Sequence, residues 1–274
     1  MKSSTASHSS VDVFSSFWIH RRLILQMTMR EVIGRYRGSI MGILWSLLNP
    51  MLMLAVYTFV FSVVFQARWG EGENSKIEFA VILFVGMIIH GLFAECANRA
   101  PGLILSNVNY VKKVVFPLEI LPWVAMGTAL FHAVVSVGVL LAAFALIHHG
   151  IHWTSALLPL LLLPLVMFTM GVSWLLASLG VFLRDVGHTT GIITTVMLFL
   201  SPVFFPVSAL PEVYQPLMLA NPLTFIIEQA RDILIWGKPL KWIALGVYLV
   251  ASLLVAWAGL YLFQKMRKGF ADVL

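Results

Sequence analysis

Charged side chains are scarce in this sequence. Asp, Glu, Lys and Arg make up only 11% of its 274 residues, and 60% are hydrophobic; soluble domains carry about 25% charged residues. With a mean hydropathy of +0.92, the chain has too few polar groups to cover a water-soluble core. Cysteine is nearly absent as well. Cys96 stands alone, which excludes an internal disulfide framework and a cysteine-rich zinc site and leaves Cys96 as a buried apolar residue. No Gly-x-x-x-x-Gly-Lys-Ser/Thr phosphate loop occurs, so any ATP-driven work has to come from a partner polypeptide. There is no repeat with a period of roughly 20 to 50 residues and no low-complexity tract beyond a Ser-rich start. That start is polar, and the first long apolar run begins near Ile40; no cleavable leader is expected, and the N-terminus stays on the protein.

Apolar length is what the sequence has in abundance. Crossing a bilayer takes roughly 17 to 25 predominantly apolar residues, and runs over 40–65, 79–97, 122–147, 157–182, 189–207 and 242–263 meet that length. The expected fold is an all-α integral membrane protein, a single domain over 1–274 with six transmembrane helices. If both termini are cytoplasmic, thirteen of the eighteen Lys and Arg residues fall on the inner side, including Arg21, Arg22, Arg99, Arg184 and Arg267, as the positive-inside rule requires. The outer connections are then acid-rich, with Glu71, Glu73, Glu78 and Glu212 among them. The net charge of +6 therefore calls for no nucleic-acid partner.

Two segments outside these runs carry their own pattern. Over 11–37, Trp18, Leu25, Met29, Val32 and Tyr36 recur at helical spacing with arginines between them. The pattern predicts a basic amphipathic helix lying on the inner membrane surface, the alternative being a cytoplasmic helix packed on a partner. Between the fifth and sixth runs, 208–240 mixes Pro211, Pro216, Pro222 and Pro239 with large apolar residues. Such backbone tolerates membrane depth only when protein satisfies its polar groups, so short re-entrant helices near the outer face are expected. There Glu228, Arg231 and Asp232 sit three and four apart, where they can pair and form an outer gate.

Few residues invite chemistry. His148, His149 and His152 cluster without a carboxylate or thiolate at ligand spacing, which reads as a solvated cluster and not a metal site. His90 and His132 fall inside spans, where ionisable groups are functional candidates by default. With no intramembrane acid near them in sequence, neutral rings bonded to helix backbone are the expectation. Glu95 and Arg99, one turn apart at the end of the second run, suit an ion pair. No chain of mid-span acids of the kind ion-coupled pumps use is present. Tyr57, Phe61 and Phe65 form an i, i+4, i+8 stripe that either packs on a helix or lipid or faces a sugar ring.

The segment Arg35-Tyr-Arg-Gly-Ser-Ile-Met-Gly-Ile-Leu-Trp45, followed by Pro50 and with Gly34 and Gly42 flanking the bend, resembles the start of the first span in permease subunits of polysaccharide-export ABC transporters. Asn109-Tyr-Val-Lys-Lys-Val-Val-Phe-Pro117 with Glu119 and Pro122, Val181-Phe-Leu-Arg-Asp-Val186, and Asn221-Pro222 are similar to the same family. The resemblance implies a homodimer bound to two separate ATPase subunits, which use ATP and Mg, with no cofactor on this chain. It implies export of an undecaprenyl-pyrophosphate-linked glycan, of O-antigen, capsule or teichoic-acid type, across the inner membrane. It further implies ATPase coupling through Asn109, Lys112, Lys113 and Phe116, an inner-mouth contact at Arg184 and Asp185, and a sugar channel at Tyr57, Phe61 and Phe65. Arg30, Arg35 and Arg37 are candidates for the carrier's pyrophosphate, because guanidinium binds phosphate bidentately; plain membrane anchoring is the alternative. Two other classes stay open at this stage: a permease of the same architecture exporting a drug or lipid, and a membrane-embedded transferase, for which no clustered acidic, His or Ser residues appear.

Overall fold

Residues 13–64, 76–112 and 116–274 are described by the computed structural model. Among the described residues all regular structure is helical, as apolar surroundings demand when each segment must satisfy its own backbone. Helix α1 spans Val13–Arg35. Gly38 and Gly42, at φ 86° and 52°, then turn the chain through backbone angles that only glycine adopts freely. Helix α2 follows over Trp45–Tyr57 and continues as a π-helical stretch, Thr58–Val64. Next come α3 (Lys76–Arg99), the short α4 (Val108–Lys112), α5 (Leu121–His148), α6 (Leu158–Phe182) and α7 (Val186–Phe199). The chain closes with α8 (Gln215–Leu219), α9 (Pro222–Leu234), α10 (Trp242–Arg267) and α11 (Phe270–Val273).

Among the described residues, five segments are long and apolar enough to cross a bilayer: Gly42–Phe61, Phe79–Gly102, Leu118–His148, Trp153–Phe182 and Trp242–Arg267. They match five of the six expected runs, with Phe65 outside the described residues. The remaining run, 189–207, is realised as α7 alone, which ends at Phe199. Pro202 and Pro206 explain the early stop, because a proline disfavours helical backbone in the residue before it and supplies no N–H.

Helix α3 is the hub, touching α2, α5, α6, α7 and α9, with Ala80, Leu83, Val85 and Cys96 fully enclosed. Helices α6 and α10 approach most closely at Gly171 and Gly259, where a Cβ on either would run into the backbone of the other helix. Small residues at such crossings let two helices meet at backbone distance without hydrophobic driving force from lipid. Helix α2 and its π-helical continuation, by contrast, leave Leu47, Met51, Leu52 and Phe59 exposed.

Helix α1 differs from its sequence pattern in one respect. The stripe that packs is Phe17, Ile24, Thr28 and Val32: the Phe17 and Trp123 rings lie 4.7 Å apart, and Thr28 Oγ1 reaches the Val124 carbonyl at 3.5 Å. Trp18, Leu25 and Met29, expected with Val32 on the face that lies on the membrane, are exposed together with Ile33, whereas Val32 is buried. The two stripes are offset by one residue, about 100° around the helix, so both read as apolar and only the fold selects which one meets α5.

Candidate functional site

One end of the bundle collects most of the basic side chains. There the end of α1 meets α3 and α5 through a cluster that no single stretch of sequence displays. Glu95 on α3 is its centre: Arg35 Nη1 donates to Glu95 Oε1 at 2.6 Å, and His132 Nδ1 on α5 lies 2.9 Å from Glu95 Oε2. An ionised carboxylate only accepts, so Nδ1 carries the proton. His132 Nε2 faces the Tyr36 hydroxyl at 3.3 Å. Arg99 stands 4.0 Å from Glu95, the ion pair expected from their spacing, and also holds Glu31 of α1; Thr128 Oγ1 donates to Glu31 as well, at 3.2 Å. His132 thus has an acid partner, contrary to the expectation of a ring bonded to backbone, since α3 and α5 bring together positions 37 residues apart. His90 does follow that expectation, with Nε2 2.9 Å from the Thr194 carbonyl.

The cluster forms the mouth of a cavity of about 290 Å³ between α2, α3 and α5. Ser46, Asn49 and Ser136 line its walls, and Tyr57 and Phe84 close it, with ring centroids 6.4 Å apart. Pro50 lies buried in this wall. Phe61 turns the same way, its ring 5.8 Å from Phe79 and 6.0 Å from Phe204. Tyr57 and Phe61 therefore face their own bundle, Tyr57 into the cavity and Phe61 beyond it. Of the three arginines singled out in the sequence, Arg35 is engaged by Glu95, while Arg30 and Arg37 are exposed.

Below the cavity, the basic end presents α4 and the corner between α6 and α7. Asn109 and Lys112 are exposed on α4, Tyr110 stacks on Phe116 at 4.4 Å, and Lys112 Nζ donates to the Leu274 carbonyl. Arg184 and Asp185 are exposed at the corner. Lys113 lies outside the described residues. Arg267, at the end of α10, bonds Glu119 Oε2 at 2.8 Å and the Phe116 carbonyl at 2.9 Å; sequence patterning did not single it out.

The opposite end is organised by α9. Arg231, almost wholly buried, donates through Nε to the Ile82 carbonyl at 3.0 Å, through Nη1 to the Pro202 carbonyl and through Nη2 to the Val203 carbonyl at 3.0 Å. Asp232 accepts from Gln229 Nε2 at 2.8 Å and lies 3.5 Å from Lys238 Nζ, and Glu228 is half-buried beside them. Asn221 ties α9 to α7: its Oδ1 accepts from the Leu223 N–H at 2.9 Å, and its Nδ2 donates to the Met197 and Leu200 carbonyls at 3.2 and 3.1 Å. The apolar 208–240 stretch is accordingly not a solvated loop, for α9 packs against α3 and α6.

Long apolar helices around an enclosed α3, with ionic contacts gathered at the bundle ends, define a multi-pass membrane protein. The chain belongs to the ABC-2 type transporter family, whose model matches residues 22–235. It is 29% identical over 255 residues to the O-antigen export system permease protein RfbA of Myxococcus xanthus, covering 92% of this chain and 95% of that one. It is 27% identical to the capsule polysaccharide export inner-membrane protein CtrC of Neisseria meningitidis serogroup B, covering 93% and 96% of the two chains. With the polysialic acid transport protein KpsM of Escherichia coli it shares 22% identity over 93% and 97%.

Proposed function

We propose that this chain is the membrane-spanning subunit of an ATP-driven exporter that moves a lipid-linked polysaccharide, an O-antigen-like glycan on undecaprenyl pyrophosphate, across the bacterial inner membrane. The observation that carries this reading is the near end-to-end match to relatives named for O-antigen and capsule export. Two copies of the chain would bind two ATPase subunits on the cytoplasmic side, where both termini lie. The absence of a phosphate loop from the sequence fits that division of labour. Six crossings are part of the proposal. Helix α6 reaches the basic end and α10 starts from the other, so α7 with the 200–241 stretch has to make the return. At about 1.5 Å per residue, α7 covers roughly 21 Å of a hydrocarbon core of about 30 Å; α8 and α9 then serve as re-entrant elements completing the crossing.

In this reading Asn109, Lys112, Lys113, Phe116, Arg184 and Asp185 meet the ATPase. ATP bound between two ATPase subunits supplies the difference in affinity that alternating access needs. The exposed stripe Trp18, Leu25, Met29 and Ile33 rests in the headgroup boundary. The exposed Arg30 and Arg37 meet the carrier's pyrophosphate in this reading, with Arg35 joining them only on release from Glu95. Tyr57 and Phe61 offer aromatic faces to sugar rings, and Glu228, Arg231 and Asp232 belong to the outer gate. Deleting the gene in its host should abolish the surface glycan while lipid-linked glycan accumulates inside, read on gels of surface and membrane fractions. Unchanged surface glycan, or a purified chain that brings no ATPase subunit with it, would overturn the proposal.

A further inference from the structure

The last residues of the chain fold back onto the segment assigned above to the ATPase. Three contacts make the connection. Arg267 grips buried Glu119 and the Phe116 carbonyl, just after α4. The Glu119 carbonyl in turn accepts from Trp174 Nε1 at 2.9 Å, so the grip reaches the enclosed centre of α6. After the turn at Gly269, α11 inserts Phe270, which is fully buried, between Phe182 at 5.9 Å and Phe263 at 5.6 Å. Phe182 is the last residue of α6, immediately before the Arg184–Asp185 corner. Finally, the Leu274 carbonyl takes the Lys112 ammonium of α4.

We propose that this C-terminal strut, with Arg267 as its positioning residue, carries motion of α4 into α6 and α10. The physical argument is one of stiffness. Helix α4 is only five residues long, its Asn109 and Lys112 are exposed, and a helix of that length has no stability of its own. A partner pushing on such a segment would deform it unless something rigid backs it. The Arg267 guanidinium, a rigid fork that bonds a carboxylate through Nη1 and a carbonyl through Nη2, and the enclosed Phe270 ring provide that backing. They join α4 to the tightly crossed α6–α10 pair. The inference rests on the ATPase-coupling reading of α4.

The test uses the complete exporter, this chain co-purified with its ATPase subunit, and compares Arg267→Gln with Arg267→Lys and with the exchange Arg267→Glu/Glu119→Arg. Two quantities are read: Mg-ATP hydrolysis per assembled complex, and surface glycan per cell in the host. Arg267→Gln should assemble and hydrolyse ATP but deliver about tenfold less glycan per ATP, the scale of a lost coupling interaction. The exchange variant should recover most of it, and Arg267→Lys part. Unchanged glycan per ATP in Arg267→Gln overturns the inference, and so does a fall in glycan and hydrolysis strictly in proportion to assembled complex, because a merely stabilising contact does that. Failure of the wild-type chain to bind an ATPase subunit would instead overturn the proposed function, and the strut with it.

Discussion

At Arg231, one guanidinium answers three backbone carbonyls drawn from α3 and from the turn after α7. Those carbonyls are enclosed, and a buried acceptor left without a donor costs about 1–3 kcal/mol. Arg231→Met should therefore lower the unfolding temperature of the detergent-solubilised protein by more than a typical apolar core substitution. Cys96, 1% exposed and the sole cysteine, reports this directly, since a thiol-reactive dye labels it only on unfolding. Gly86→Ala should act in the same direction more mildly, because its Cβ would meet Arg231 Nη2 at 3.0 Å and the Val203 Cα at 3.2 Å. An Arg231→Met midpoint equal to wild type would sink this account. Glu95 gives a second residue-scale prediction. Glu95→Gln removes the charge that holds both Arg35 and His132, so amides in the last turns of α1 should exchange with deuterium faster, while those of α3 keep their protection. Equal exchange in α1 would show that Glu31 and Arg99 hold it unaided.

Among the elements, the α7–α9 connection depends on Asn221, which caps α9 and also satisfies the last carbonyls of α7. Loss of an N-cap alone costs about 1 kcal/mol. Asn221→Ala should cost more than that, whereas Asn221→Asp, which keeps the cap and loses the two donated bonds, should fall between. The two variants reverse in order if the cap is irrelevant. At the α6–α10 crossing, Gly259→Leu has to separate two helices that meet backbone to backbone. The expected outcome is loss of monodisperse protein on size exclusion, since close contact between small residues is what drives such pairs together in lipid. Gly246→Leu on the same helix, whose Cβ would meet nothing within 4 Å, is the control and should purify as wild type.

For the whole molecule, the contacts place α4, the α6–α7 corner and α11 at one end and the connection before α10 at the other. Cysteines introduced at Asp272 and Glu212, both exposed, should therefore label from opposite faces of sealed vesicles, Asp272 from the cytoplasmic face. Labelling of both from one side would break the proposed six-crossing arrangement.

Much of this was legible in the residues. Membrane insertion follows from how little charge the chain has, and five of its spans follow from run length, because hydrocarbon imposes the same demand on every segment whatever its neighbours. The His90 contact with backbone and the proline-rich helical stretch near the far end were legible for the same reason, each being a local consequence of an apolar setting. The Glu95–His132–Arg35 cluster was not, since its members lie on three helices and nothing in one helix records its rotation against another. Which stripe of α1 packs, where α7 stops, which carbonyls Arg231 serves and how the chain's end braces α4 belong to the tertiary structure alone. Period and hydropathy state what a segment needs to bury, but its partner is chosen by packing against helices far away in sequence, where one residue of register moves a side chain by about 100° around its axis.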